Sequence, residues 1–97
     1  MMNSPGGTTS RNLYWIHVLE SKLDGNKYVG YTSSINQRLK EHANGKVAST
    51  KERRPFKLIY IEGCTNRSDA TRREKYLKTT DGKRFLAKRL KTYYGEN

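Results

Sequence analysis

The stretch LYWIHVLESKLDGNKYVGYTSSINQRLKEHANG, residues 13–45, decides the fold. Two β-prone runs, Leu13 to Leu19 and Lys27 to Tyr31, flank the turn signal Asp24-Gly25-Asn26, a pattern that predicts an antiparallel hairpin. Ser34 is followed three residues later by Gln37, the spacing of a capping box, and Asn44-Gly45 supplies a stop. A short helix is therefore expected over Ile35 to Ala43, with Ile35, Leu39 and Ala43 as its apolar stripe. Beyond it, Lys46 to Pro55 is basic and lacks periodicity, which predicts a loop, and Phe56 to Glu62 (FKLIYIE) predicts a third strand. Asn66 can cap a helix from Arg67 to about Lys78, Thr79 to Gly82 (TTDG) should break it, and Lys83 to about Tyr94 should form a last helix. The order β-β-α-β-α-α is that of an α+β domain, a small and mainly antiparallel three-stranded sheet flanked by helices. Residues 12–94 are expected to fold. Residues 1–11, rich in Gly, Ser, Thr and Asn, should form a flexible tail and residues 95–97 a short C-terminal one.

Ninety-seven residues suffice for one small domain, which excludes a multidomain enzyme. Only 33% of the chain is apolar, but seven Tyr, two Phe and one Trp supply large buried areas for a modest core. Twenty Lys and Arg against nine Asp and Glu give a net charge of +11, and such a surface attracts polyanions, with nucleic acid foremost. The charge is uneven: residues 67–91 hold ten basic and three acidic side chains, whereas residues 1–32 hold three and two. A single cysteine, Cys64, excludes an internal disulfide and a cysteine-rich zinc site, which fits a reducing, cytoplasmic setting. No apolar run approaches the roughly 20 residues that span a bilayer, so no membrane partner is expected.

Several polar residues fall where a core should be. Glu74 sits between Ala70 and Leu77 on the inward stripe of its helix. Burying a carboxylate costs several kcal/mol unless a cation, a metal or protonation offsets it, as an ion pair with Arg38 also would. Arg38 and His42, four residues apart, lie at the margin of the Ile35/Leu39 face and can point into one cleft. His17 and Tyr28 stand on facing strands of the hairpin, where each could equally fill the core. Gly30, two residues after Tyr28, marks a place of close approach.

Read in order, Trp15-Ile16-His17, Tyr28-Val29-Gly30, Arg38, His42 and Glu74 resemble the motif series of the GIY-YIG nuclease superfamily, especially its small single-domain bacterial branch. The runs QRLKEH, STKERRPFKLIYIE and REKYLK also look like that branch, and the resemblance covers about Leu13 to Leu90. It implies an active centre of Tyr28, Arg38 and Glu74, with His42 in the same cleft. It also implies a divalent metal, Mg2+ or Mn2+, held by Glu74, and hydrolysis of phosphodiester bonds in DNA. One departure stands out: the first tyrosine of the pattern belongs eleven positions before Tyr28, where this chain has His17, and Tyr14 is three residues too early.

Within that resemblance each residue type suits a task. The planar guanidinium of Arg38 can clamp two phosphate oxygens and keeps its charge. Magnesium commonly takes one or two carboxylates plus waters and phosphate, so Glu74 alone can anchor it. His17, with a reference pKa of about 6.5, is a better base at neutral pH than Tyr28, near 10, which leaves Tyr28 to position water or phosphate. Lys46, Lys51, Arg53, Arg54, Arg72 and Lys75, with Lys83, Arg84, Lys88 and Arg89, are candidates for phosphate contacts, each against the alternative of a solvated surface charge. Phosphate contacts carry no base information, so the expected activity is structure-selective or weakly sequence-specific cutting, in DNA repair or recombination, with a partner protein as one source of specificity. The competing expectations are a catalytically silent basic nucleic-acid-binding module and, on charge alone, an RNA-binding protein.

Overall fold

Strand β1 (Tyr14–Ser21) runs through the centre of the molecule in the computed structural model, which describes residues 13–95. The tail expected over residues 1–11 lies outside the described residues, as do residues 96–97 of the C-terminal one. On one side β1 pairs antiparallel with β2 (Lys27–Thr32) and on the other with β3 (Phe56–Cys64), giving the order β2-β1-β3. Four consecutive residues, Ile16, His17, Val18 and Leu19, are each at most 2% exposed. A strand covered on both faces loses the apolar/polar alternation of a half-exposed one. Alternation still governs direction, so Ile16 and Val18 project to one face and His17 and Leu19 to the other.

The Ile16/Val18 face carries the hydrophobic core. Helices α2 (Arg67–Leu77) and α3 (Thr80–Arg89) lay Ala70, Leu77 and Leu86 on Ile16 and Val18, with Tyr14, Val29, Tyr31, Tyr60 and Phe85 around the margin. Each fully buried Ile, Val or Leu contributes roughly 1.5–3 kcal/mol. Asn66 caps α2 as its position suggests, its Oδ1 accepting from the Ser68 and Asp69 amides at 2.8 and 3.3 Å. On the opposite face lies α1 (Ile35–Ala43), which buries His42.

The hairpin register is unbroken from Trp15↔Thr32 to Glu20↔Lys27. Against β3 it shifts between Val18 and Leu19, whose partners are Tyr60 and Leu58, so Ile59 is the extra residue of a bulge. Ser21, buried at the end of β1, ties the hairpin turn to the segment before β3. Its hydroxyl donates to the Arg53 carbonyl at 2.6 Å and accepts from the Leu23 amide at 3.0 Å, while the Lys22 amide donates to the Pro55 carbonyl.

Local structure departs from expectation in four places. The Ser34 side chain makes no capping bond. Thr32 Oγ1 instead accepts from the Ser34 amide at 3.0 Å, and Gln37 donates forward to Glu41, because the chain turns off the strand end before the helix begins. The expected loop after α1 contains a 3-10 turn, Lys51–Arg53. The expected break after α2 is present but confined to Lys78 and Thr79: Thr79 Oγ1 accepts from the Gly82 amide at 3.1 Å, so α3 begins at Thr80 and not at Lys83. α3 ends at Arg89, and Lys91–Gly95 forms a separate short helix, α4, where one helix was expected.

Candidate active site

On the face of the sheet beneath α1, a row of rings crosses from one edge strand to the other. The His17 ring occupies the space above Gly30, where a Cβ would come within 2.9 Å of His17 Nε2. His17 meets His42 edge-on at 5.8 Å between ring centroids, and His42 meets Phe56 at 6.2 Å. Phe56 in turn meets Tyr28 at 5.5 Å. Tyr28 pairs with Leu19 and Gly30 with His17, which puts Tyr28 on the His17 face one diagonal step away. His42 is fixed from behind by Thr50, 1% exposed, whose Oγ1 lies 2.8 Å from His42 Nδ1.

Arg38 stands one turn before His42 on α1 and pairs with Glu41 at 3.0 Å while keeping 41% of its side chain exposed. Glu74 arrives from the other layer. Its side chain is 16% exposed and its carboxylate lies 3.0 Å from Lys78 Nζ, one turn further on at the C-cap of α2, so its ion-pair partner is Lys78 and not Arg38. Because β2 is an edge strand, a groove can pass around it and join the two layers. This groove, of about 950 Å³, is lined by all five of His17, Tyr28, Arg38, His42 and Glu74.

Burial and neighbouring charge keep both imidazoles neutral near pH 7. Burial pulls His17 down to about 4, with the charges of His42 and Arg38 acting the same way and the Trp15 backbone opposing by less. Its Nδ1 is buried and makes no hydrogen bond among the described residues. His42 is lowered by burial and then by Arg38, with Glu41 working in the opposite direction.

Tyr14 takes no part. It sits on the core face with the Arg67 guanidinium 5.3 Å from its ring centroid, and the unbroken hairpin register contains no shift that would bring it to the groove. His17 therefore occupies the place eleven residues before Tyr28.

Of the basic residues singled out in the sequence, Lys46, Lys51, Arg53, Arg54, Arg72 and Lys75 do not line the groove. Arg54 donates to the Lys51 and Ala43 carbonyls at 2.9 and 3.4 Å, closing the end of α1. Arg53 lies 3.4 Å from Asp24 of the hairpin turn, and Arg72 pairs with Asp69 at 2.9 Å. Lys51 borders a second groove with Leu39, Phe56 and Leu58, while Lys46 and Lys75 are exposed. Lys83, singled out in the sequence, does line the main groove beside Arg38, together with Lys27 and Lys78, which were not. Sequence reasoning also missed Thr50, which no local pattern marks, and Phe56, which reads as an ordinary strand residue.

Glu74 is the one carboxylate lining the groove among the described residues, which hold no cluster of three or more His, Cys, Asp or Glu able to cage an ion. A single hard oxygen donor beside open space for phosphate suits an ion that keeps most of its waters, as Mg2+ does, and not a closed zinc site.

The GIY-YIG catalytic domain family matches residues 13–91. A UPF0213 protein of Staphylococcus epidermidis is 47% identical over 67 residues, covering 68% of this chain and 80% of the relative. One from Bacillus licheniformis is 41% identical over 68 residues, 69% of either chain. Among solved structures, the solution NMR structure of the UPF0213 protein from Bacillus halodurans superposes with a TM-score of 0.51 at 34% identity, covering 78% of this chain and 83% of that one. It shares the small α+β architecture. Among the described residues no helix is long and apolar enough to cross a membrane.

Proposed function

This chain belongs to the GIY-YIG family of nuclease domains, and on that premise we propose that it is a metal-dependent endonuclease hydrolysing phosphodiester bonds in DNA with structure-selective or weakly sequence-specific cutting. The observation that carries this reading is the convergence of His17, Tyr28, Arg38, His42 and Glu74 on one groove from two layers of the fold. Arg38, half-exposed at the groove, offers its fork of N–H donors to the scissile phosphate. Tyr28, held edge-on by Phe56, positions water or a phosphate oxygen through its hydroxyl. His17 is neutral and so able to accept a proton. Its low pKa in the free protein rises when a phosphodiester anion enters, because the added negative charge favours the imidazolium. Glu74 would hold the divalent ion, which supplies charge stabilisation at the phosphate oxygens when bound. Lys27, Lys78 and Lys83 extend the positive lining along the path of the backbone.

The catalytically silent binding module is the second reading, favoured by the burial of His17 where the family pattern has a tyrosine. Branched, flapped and linear DNA incubated with Mg2+ or Mn2+ separates the two. The parent should cut at least one substrate, and Glu74→Ala should lose roughly 100-fold or more in rate while still binding DNA. No cleavage by the parent, or equal cleavage by Glu74→Ala, would overturn the nuclease reading.

A further inference from the structure

The hydrogen bond between Thr50 and His42 can be written in two directions, and the carbonyl of Val47 selects one. That carbonyl already accepts the Thr50 amide at 3.1 Å and the Lys51 amide at 2.9 Å, which occupy both its lone pairs. The Thr50 hydroxyl reaches it only at 3.4 Å, against 2.8 Å to His42 Nδ1. A hydroxyl has one proton to give, and the shorter contact has a free acceptor. We propose that Thr50 is a positioning residue: it donates to His42 Nδ1 and thereby holds His42 as the Nε2–H tautomer, a hydrogen-bond donor to a phosphate oxygen in the groove.

The consequence is a division of labour between two adjacent imidazoles. His42, with its Nδ1 lone pair consumed by Thr50, cannot take a proton from water at that atom, and its remaining polar atom is a donor. His17, whose buried Nδ1 has no such bond to fix its tautomer, remains the candidate base of the groove. The groups facing His42 are consistent with a neutral ring: Arg38 and Glu41 from its own helix, His17 from β1, and Phe56 and Thr50 from the segment that follows. Thr50 is itself 1% exposed and sits just before the 3-10 turn that Ser21 bolts to the hairpin, so the donor is anchored to the sheet as well as to the end of the helix it orients.

This proposal rests on the nuclease reading for its purpose but not for its test. Long-range 1H–15N correlation spectra of labelled parent protein at neutral pH should show pyridine-like Nδ1 and pyrrole-like Nε2 for His42. The reversed pattern would overturn the proposal. Thr50→Ser should keep the parent pattern, and Thr50→Val should give a mixture of tautomers. In a cleavage assay Thr50→Val should lower kcat roughly tenfold, the population factor that one hydrogen bond can set, with KM unchanged and Thr50→Ser close to the parent. Parent-like kcat in Thr50→Val would count against the proposal. If Thr50→Val fails to fold, the parent spectrum and the serine variant decide. If the parent cuts nothing, the nuclease reading falls alone, since the spectrum still reports which nitrogen carries the proton.

Discussion

Gly30 and His17 divide one volume between them: the ring fits because the strand beside it has no side chain at that point. The same enclosure makes His17 a source of acid sensitivity. In the unfolded chain it titrates near 6.5 and in the fold near 4, so between those values the unfolded state binds more protons. Stability from this residue is whole above about pH 6.5 and drains away as pH falls toward 4, by on the order of 3 kcal/mol in total. Urea denaturation of His17→Gln across this range should show a flatter acid limb than the parent. Identical limbs would remove His17 as the cause. The spacing to Tyr28 makes this position conspicuous in the sequence, and the turn signal before β2 makes the hairpin readable. What the sequence hides is the depth of burial, because covering β1 on its His17 face depends on α1 and on Thr50 arriving from across the chain.

The helices and strands were legible from local chemistry, whereas a position set by contact with the backbone of another element was not. Asn66 caps α2 through amides two and three residues on, a relation visible in any single stretch. Gly82 is the opposite case. Helix propensity alone says that Gly82→Ala should stabilise α3 by about 1 kcal/mol. In the fold a Cβ there would lie 2.0 Å from the Tyr76 carbonyl oxygen and 2.5 Å from the Leu77 Cα, both backbone atoms of α2. Gly82→Ala should therefore destabilise by about 2–3 kcal/mol as α3 is pushed from α2, with a lower Tm in calorimetry. A raised Tm would show that the two helices can separate without cost. TTDG reads as a four-residue break, whereas the break is confined to Lys78 and Thr79 and Thr80 to Gly82 form the first turn of α3.

For the whole molecule, net charge announces a polyanionic partner but says nothing about which cations meet it. Lys83 lines the groove, whereas Arg84, its neighbour in the chain, is exposed beyond it and paired with Asp81 at 3.1 Å. The salt dependence of DNA binding should separate them. Lys83→Ala should reduce the slope of log K against log salt by about 1, and Arg84→Ala should leave it nearly unaltered. Equal effects would mean that the partner reads the overall field and not the groove. Arg53 and Arg54, prominent in the sequence for their charge, spend it on Asp24 and on backbone carbonyls, a use that only the folded chain reveals.

β1 carries two messages in alternate letters, one for the hydrophobic core and one for the groove. Losing or gaining a single residue between Tyr14 and Leu19 would exchange them, sending the imidazole inward and an isoleucine or valine out to the groove. Groove lining and cohesion thus share one reading frame in this strand. Drift in chain length is tolerable at the hairpin tip and forbidden along these few positions.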